Sequence, residues 1–334
     1  MKAYVLHGIG DLRCEDCPMP ELRPGWALIK VSAAGICSSD IPRIFEKGTY
    51  HFPTIPGHEF CGVVERTANP EDSGWIGRRV GVFPLIPCMA CPSCARGEYE
   101  TCSNYDYVGS RRDGGFAEYA AAPVWNLIRL PDEISDVQGA LLEPAAVALH
   151  AVRRADIRPH SSVCVVGTGG IGLLAGQWAW RCGAERVVIK GRSCEKEALA
   201  RRCGLDYTGV TPEERFDRVI EAVGSSAALE ESLTLAAPGG RVVLMGNPDG
   251  SKTLAQNVYW QILRKQLTLS GTWNSSYGGA DSDWIEAVHA MESGKLQTAG
   301  VVTHALKKTE LEKGLAIMRD GMNTYCKIML QLDK

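Results

Sequence analysis

Short apolar runs, separated by glycine and proline, characterise the first 130 residues of the chain. Strands are predicted at four of these runs, over residues 26–31, 61–65, 79–83 and 116–121. Turn signals precede three of them, at Pro24-Gly25, Gly77 and Gly114-Gly115. Many short strands with this punctuation favour a β-rich, partly barrel-like domain.

The pattern changes near residue 140, where apolar runs of strand length alternate with stretches of helical composition. Strands are predicted over residues 162–166, 186–190, 217–223, 241–246 and 267–271. Helices are predicted over residues 139–154, 173–181, 195–203 and 227–236. Within the first of these helices, Pro144 is expected to begin or kink a turn. Strands that alternate with helices favour a parallel sheet covered on both faces.

The end of the chain, from about residue 273, is expected to return to the first domain. It carries predicted helices around residues 283–292 and 311–319 and a final strand over residues 327–332. This segment is too short to build a core of its own. The predicted organisation is therefore a β-rich domain over residues 1–144, an α/β domain over residues 145–272, and a returning segment over residues 273–334.

A glycine-rich loop follows the strand at 162–166 and precedes a helix. Its sequence, Gly167-Thr168-Gly169-Gly170-Ile171-Gly172, stands in the strand–loop–helix context of a dinucleotide fingerprint. Gly167 is expected to permit the tight turn, Gly169 the approach of a pyrophosphate, and Gly172 close packing of helix on strand. We therefore predict that Gly167, Gly169, Gly170, Ile171 and Gly172 bind a dinucleotide. The alternative is a glycine turn in another kind of α/β protein.

The end of the second strand of this domain indicates which nicotinamide cofactor binds. NAD sites carry Asp or Glu about twenty residues after the fingerprint, but Gly191 stands here. Arg192 and Ser193 offer a guanidinium and a hydroxyl to a 2′-phosphate, and Lys196 offers a second charge. We predict NADP(H) in preference to NAD(H). In the alternative, Arg192 is a surface residue and NAD binds without its usual anchor.

Four closely spaced cysteines predict a structural zinc site. Cys88, Cys91, Cys94 and Cys102 lie in a stretch that Pro87, Pro92 and Gly97 mark as a loop. Four thiolates arranged tetrahedrally make a closed zinc site, which does no chemistry of its own. Ordinary free thiols and an iron–sulfur cluster are the alternatives, although Ser103 rather than proline follows the last cysteine.

A second, open metal site is predicted from residues far apart in the chain. Cys37 follows the first predicted strand, His58 precedes the second, and Glu143 opens the helical stretch before the glycine loop. A thiolate, an imidazole and a carboxylate together make a three-ligand zinc site with one position open. Taken singly, a core cysteine, a hydrogen-bonded histidine and a helix N-terminal acid explain these residues equally well.

Composition excludes several classes of function. Hydrophobic residues make up 45% of the chain and charged residues 22%, and the formal net charge is −3. No lysine or arginine block predicts a nucleic-acid partner, and no apolar run predicts a membrane partner. The start of the chain, Met1 to Leu6, predicts no secretion signal. Thirteen cysteines with no sign of an oxidising compartment indicate the cytoplasm.

Several motifs occur together, one after another along the chain. These are Gly57-His58-Glu59, the four-cysteine lobe, Gly114-Gly115-Phe116-Ala117-Glu118-Tyr119, Glu143-Pro144 and the glycine loop. Together they resemble the zinc-containing medium-chain alcohol dehydrogenases over essentially the whole chain, and most closely the polyol dehydrogenase branch. The resemblance implies a GroES-like catalytic domain joined to a Rossmann domain, in a homodimer or homotetramer.

The resemblance also implies roles for individual residues. Catalytic zinc would lie on Cys37, His58 and Glu143, and Glu59 would hold the water on that zinc or replace it as a ligand. Structural zinc would occupy the cysteine lobe, which makes two zinc ions per chain. We expect the hydroxyl of Ser39, two residues beyond Cys37, to relay the proton of the substrate towards solvent.

These features predict a dehydrogenase that moves hydride between a secondary alcohol, such as a polyol or sugar alcohol, and NADP⁺. An NAD-dependent enzyme for a phosphorylated hexitol is the second hypothesis, and a non-catalytic nucleotide-binding protein is the third. Arg111 and Arg112 are candidates for binding a substrate phosphate. Packing against the zinc lobe or a partner subunit explains the two arginines equally well.

Overall fold

The computed structural model describes residues 1–192, 194–207, 213–248, 250–279, 281–321 and 324–331. Its strands are, in chain order, β1 (Lys2–Gly8), β2 (Asp11–Asp16), β3 (Trp26–Ile36), β4 (Glu59–Thr67), β5 (Arg79–Val82), β6 (Leu85–Ile86), β7 (Asp106–Tyr107), β8 (Tyr119–Pro123), β9 (Leu127–Arg129), β10 (Ser162–Val166), β11 (Arg186–Lys190), β12 (Asp206–Tyr207), β13 (Phe216–Glu221), β14 (Ala236–Leu244), β15 (Thr268–Gly271), β16 (Val302–Lys307) and β17 (Lys327–Gln331).

The helices differ widely in length. The α-helices are α1 (Asp40–Pro42), α2 (Pro92–Ala95), α3 (Asp136–Arg154), α4 (Gly170–Arg181), α5 (Glu197–Arg202), α6 (Ser226–Leu235), α7 (Gln256–Arg264), α8 (Asp283–Glu292) and α9 (Leu311–Asp320). A π-helical turn covers Arg43–Lys47, and 3₁₀ turns cover Pro70–Trp75, Tyr99–Thr101, Val124–Asn126, Cys194–Lys196 and Lys308–Glu310. Within the described ranges, none of these helices is both long and apolar enough to span a bilayer.

The described residues group into two compact units. The first draws on Met1–Glu143, Ser276–Ser293 and Thr303–Lys334, and the second on Pro144–Ser275 and Gly294–Val302. The segment from residue 273 onwards is thus divided between the units, whereas we expected all of it to return to the first.

A largely antiparallel sheet organises the first unit. Its strands run in the order β16-β17-β3-β4-β5-β9, and β8 also pairs with β3. Strands β3 and β4 pair from Ala27 opposite Thr67 to Gly35 opposite Glu59. This register places the end of β3 beside the start of β4. Ile29, Ile36 and Phe60 are among the fully buried side chains of the core around it.

A parallel sheet organises the second unit, in the order β12-β11-β10-β13-β14-β15. The first strand of the unit lies in the middle, and the strand order reverses between β10 and β13. Val165, Ile189 and Val243 have no exposed surface, as expected for strands buried on both faces. This is the strand order of the doubly wound dinucleotide-binding fold, and it confirms the predicted fold class.

Two local predictions are wrong. Pro144 begins no turn but lies inside α3, which runs without a break from Asp136 to Arg154, and its neighbours Leu141, Leu142 and Ala148 are buried. The cysteine stretch predicted as a loop contains the short helix α2, which has Pro92 at its first position.

Candidate metal centres and cofactor loop

Four thiols converge in the lobe around α2. The sulfurs of Cys88, Cys91, Cys94 and Cys102 all lie within 4.8 Å of one another. The Sγ–Sγ distances are 3.5 Å for Cys91–Cys94 and Cys88–Cys102, 3.8 Å for Cys91–Cys102 and 4.0 Å for Cys88–Cys94. A tetrahedron of thiolates with Zn–S bonds of about 2.3 Å has edges of about 3.8 Å. The lobe therefore fits a zinc ion, and these cysteines form no disulfide.

The backbone of the lobe stabilises negative charge on sulfur. The N–H groups of Cys94 and Ser103 lower the pKa of the Cys91 thiol to about 5. Cys88 N donates to Cys102 Sγ over 3.3 Å. Burial has the opposite effect on Cys94, whose pKa rises to about 12. A divalent cation would deprotonate such a buried thiol, so the donor set suits a metal.

A second cluster lies where β3 ends and β4 begins. Cys37 follows β3, and His58 and Glu59 stand at the start of β4, so the antiparallel register brings them together. One ligand atom from each of the three lies within 4.8 Å of the other two. A thiol, an imidazole and a carboxylate at this separation can share one metal ion.

Lys327 forms a buried ion pair with this cluster. Its Nζ donates to both carboxylate oxygens of Glu59 over 2.7 Å and to the carbonyl of Ile36 over 3.3 Å. The side chains of Lys327 and Glu59 are only 7% and 1% exposed. Gly35 makes room for the pair, since a Cβ on this residue would lie 2.3 Å from Glu59 Oε2. The sequence analysis missed Lys327, because no local pattern marks it out.

Asp40 contacts both chain segments that carry the cluster, the one after β3 and the one before β4. Its Oδ2 accepts the backbone N–H of Cys37 over 3.0 Å, and its Oδ1 accepts Nη1 of Arg43 over 2.7 Å. The same Oδ1 lies 3.6 Å from Nδ1 of His58, a buried atom without a hydrogen-bond partner among the described residues. A carboxylate beside a histidine ring orients that ring towards a metal. The sequence analysis missed Asp40 as well.

Glu143 lies beside the cluster but outside the group of three. It is buried in α3 with 7% of its surface exposed. Burial, with the charges of Glu59 and Cys37, raises its pKa to about 8, although His58 and Lys327 act in the opposite direction. Glu143 is therefore close enough to interact electrostatically with every member of the cluster. A cation between them would favour its ionised form.

The cluster carries more acidic than basic groups, which suits a metal cation. Burial and the carboxylate of Glu59 raise the pKa of the Cys37 thiol to about 11, and Lys327 opposes this rise. A hydrogen bond with the Ser39 side chain also lowers the pKa of Cys37, which places the Ser39 hydroxyl against that sulfur. A bound cation would hold the thiolate form.

An aromatic ring that the sequence analysis missed covers one side of His58. The ring of Tyr107 meets that of His58 edge-on, with centroids 5.8 Å apart. Burial and the neighbouring Glu143 and Cys37 raise the pKa of Tyr107 well above its usual value. Its hydroxyl therefore stays protonated beside the cluster and can donate a hydrogen bond.

The glycine loop has the predicted conformation at the start of α4. Gly167 has a φ of +126°, a backbone conformation that a side chain would strain. A Cβ on Gly172 would lie 2.1 Å from the carbonyl oxygen of Gly167, whereas a Cβ on Gly169 would meet open space. Gly169 is the N-cap of α4, and no side chain caps this helix end. Free N–H groups at such an end suit the pyrophosphate of a dinucleotide.

No space for an acidic side chain exists at Gly191. A Cβ there would lie 2.4 Å from the methyl group of Thr168 and 2.5 Å from the hydroxyl oxygen of Tyr207. Arg192 follows with an exposed side chain, and Lys196 is the N-cap of α5. The remaining predicted residue of this group, Ser193, lies outside the described residues. Tyr207, at the end of β12, was missed by the sequence analysis.

Two family descriptions match this chain. Residues 23–132 match "Alcohol dehydrogenase GroES-like domain", and residues 170–293 match "Zinc-binding dehydrogenase". The chain therefore belongs to the zinc-containing medium-chain dehydrogenase family, and it is an oxidoreductase that acts on alcohol groups with a nicotinamide cofactor. These matches confirm the resemblance expected from the sequence.

Individual dehydrogenases are similar to this chain over nearly its whole length. Galactitol 1-phosphate 5-dehydrogenase of Escherichia coli (strain K12) is 34% identical over 319 residues, which cover 91% of this chain and 92% of the relative. The crystal structure of galactitol-1-phosphate dehydrogenase from Escherichia coli matches with a TM-score of 0.91 and 32% identity, over 99% of this chain and 100% of that one. A zinc-binding dehydrogenase from Sinorhizobium meliloti 1021, bound to NADP, matches with a TM-score of 0.89 and 29% identity, over 99% and 98% of the two chains.

Proposed function

We propose that this protein oxidises a secondary alcohol group of a polyol to a ketone with NADP⁺. The observation that carries the proposal is the convergence of Cys37, His58 and Glu59, with Glu143 beside them, in a chain that also has a dinucleotide-binding loop. When bound, zinc supplies Lewis-acid polarisation of the alcohol, and the nicotinamide takes the hydride.

Cys37, His58 and Glu143 are the proposed ligands of the catalytic metal. Glu59, unlike Glu143, belongs to the group whose ligand atoms lie within 4.8 Å of one another, but Lys327 occupies both of its oxygens. A carboxylate committed to an ammonium group is a weaker ligand than one whose charge is unpaired. Glu59 is therefore proposed as the adjacent carboxylate that can replace water as a ligand. Tyr107 and Ser39 face the same cluster, and Ser39 is proposed to pass the substrate proton towards solvent.

The structural metal is proposed to be zinc held by the four clustered cysteines, which makes two zinc ions per chain. The Sγ–Sγ distances of 3.5 to 4.0 Å support this proposal. Metal analysis separates the two sites. We expect about two zinc ions per wild-type chain, and about one in both Cys37→Ser and Cys94→Ser. Cys37→Ser should lose turnover and keep its fold, whereas Cys14→Ser, at an exposed cysteine, serves as the matched control. Retention of both zinc ions in Cys37→Ser would reject the open site.

NADP(H) is proposed as the cofactor because the chain has no room for an acidic anchor at Gly191. Arg192, exposed at the end of β11, is proposed to contact the 2′-phosphate together with Ser193 and Lys196. The relative from Sinorhizobium meliloti that binds NADP is consistent with this preference. Comparison of kcat/KM with NADP⁺ and NAD⁺ tests the proposal. An Arg192→Ala variant with an unchanged KM for NADP⁺ would contradict it.

The second candidate is NAD-dependent oxidation of a phosphorylated hexitol. The 34% identity with galactitol 1-phosphate 5-dehydrogenase favours it. A screen of free and phosphorylated hexitols with both cofactors distinguishes the two candidates. Light scattering after size-exclusion chromatography tests the homodimer or homotetramer that we propose as the assembly.

A further inference from the structure

The guanidinium group of Arg111 packs against two tyrosine rings. Its Cζ atom lies 4.3 Å from the ring centroid of Tyr50 and 4.5 Å from that of Tyr105. Nη1 donates to the carbonyl oxygen of Tyr105 over 2.8 Å. Arg111 also has a side-chain hydrogen bond with Tyr50, and together these contacts restrict the position of the guanidinium group.

The backbone of Arg111 is fixed as well. Its N–H donates to the carbonyl of Tyr107 over 2.9 Å, and its own carbonyl lies 3.1 Å from Nε2 of His51. The side chain is thus built on a hydrogen-bonded turn rather than on a mobile surface loop. Such an arrangement lowers the entropic cost of binding a ligand.

Arg111 has no carboxylate partner among the described residues. The acids nearest in sequence are engaged elsewhere, since Asp106 pairs with Nε of Arg112 and Asp113 accepts the N–H of Ile55 over 2.9 Å. Moreover, Nε of Arg111 is buried without a hydrogen-bond partner. An unsatisfied donor on a charged group is costly, and such groups commonly mark a place where a ligand binds. The ion pair of Arg112 leaves Arg111 as the better candidate of the two.

Two ring contacts connect this arginine with the proposed active site. Tyr105 meets Tyr107 with ring centroids 6.2 Å apart, and Tyr107 meets His58 at 5.8 Å. A molecule whose alcohol lies at the metal cluster and whose other end reaches Arg111 must extend past the rings of Tyr107 and Tyr105. An open-chain polyol with an anion at one end has this shape.

We propose that Arg111 binds a terminal anionic group of the substrate, a phosphate or a carboxylate, through its Nε edge. The proposal rests on the function proposed above, for which it names the substrate class. Tyr50 is 69% exposed, so its ring can shift for the anion, while the ring and carbonyl of Tyr105 keep the guanidinium group in place. Arginine forks match both phosphate and carboxylate oxygens.

Steady-state kinetics on the zinc-loaded enzyme test the proposal, with galactitol 1-phosphate, galactonate and galactitol as phosphate, carboxylate and neutral probes. The loss of kcat/KM in Arg111→Gln should be about 10- to 100-fold larger with at least one anionic probe than with galactitol. Most of this loss should fall on KM, and Arg111→Lys should recover part of it. Arg112→Gln is the matched control and should show no such selectivity. The anionic probe that loses more identifies the ligand.

Equal losses on all three probes would assign Arg111 a structural role and overturn the proposal, as would no loss on any of them. Calorimetric titration with galactitol 1-phosphate and galactonate separates this failure from a failure of the proposed function. If wild type turns over no alcohol but binds an anionic probe at least tenfold more tightly than Arg111→Gln does, the anion site stands and the dehydrogenase function fails. If wild type oxidises galactitol and Arg111→Gln binds both anions as wild type does, the function stands and the anion site fails.

Discussion

Replacement of Lys327 by methionine should strongly destabilise the protein. The variant keeps an unbranched side chain only one atom shorter, but it removes a charge that meets both oxygens of Glu59 at 2.7 Å. With side chains only 7% and 1% exposed, the pair is little screened by solvent. Removal of one partner of a buried pair costs about 3–5 kcal/mol, because the other charge is left uncompensated. At about 2 °C per kcal/mol for a chain of this length, we expect Tm to fall by about 6–10 °C.

A double-mutant cycle separates the ion pair from simple packing. Glu59→Gln keeps the shape of the acid without its charge, so Lys327→Met combined with Glu59→Gln removes both charges of the pair. We expect the double variant to be clearly more stable than Lys327→Met alone. Lys327→Arg keeps the charge and is the matched control. Zinc content is measured on every variant, which separates loss of metal from loss of the pair. The reasoning is refuted if Lys327→Met melts within about 2 °C of wild type, or if the double variant is no more stable than Lys327→Met.

Two further predictions concern other parts of the molecule. Lys308 has a buried Nζ without a hydrogen-bond partner among the described residues, and burial lowers its pKa to about 8. Between about pH 8 and 10.5 the unfolded chain therefore holds a proton that the folded chain lacks, so this residue makes the free energy of unfolding rise with pH across that window. Lys308→Met should be more stable than wild type at pH 7 and should lose this rise, as measured by urea unfolding at pH 7 and 9.5. An equal rise in both proteins would contradict this prediction. Gly191→Asp should weaken the binding of both NADPH and NADH, because the new side chain would clash with Thr168 and Tyr207. Gly191→Asp combined with Tyr207→Ala should bind NADH more tightly than Gly191→Asp alone. Fluorescence titration measures these affinities, and a single variant that binds NADH more tightly than wild type would contradict the steric argument.

The sequence predicts best those features whose parts are adjacent in the chain. The four-cysteine lobe spans residues 88–102, so spacing alone is enough to predict that its sulfurs converge. The glycine loop likewise lies between β10 and α4 and takes the predicted form at Gly167. Pro144 shows the limit of local reasoning. A proline inside a helix costs about 3 kcal/mol, but most residues of α3 between Gly139 and Val152 are buried, and this packing outweighs that cost.

The second metal cluster depends on contacts that no local pattern contains. Cys37 and Glu59 meet only because β3 and β4 pair in one register, and a shift of one residue would turn Glu59 to the other face. The sequence therefore supplied the residue types, and the family resemblance supplied their grouping. Gly191 is a mixed case: the missing acid was visible in the sequence, but the Tyr207 hydroxyl that fills its space comes from the separate strand β12.

The final strand does more than complete the sheet of the first unit. β17 pairs with β3, setting Ile328 opposite Ile36, and its first residue, Lys327, lies against Glu59. A residue 268 positions away along the chain thus pairs with the carboxylate that stands beside the proposed metal ligands. If the pair holds Glu59 back, the open metal position persists only while β17 is in register. The proposed metal site and the stability of the first unit then depend on the same buried contact, so a variant that tests one must be monitored for the other.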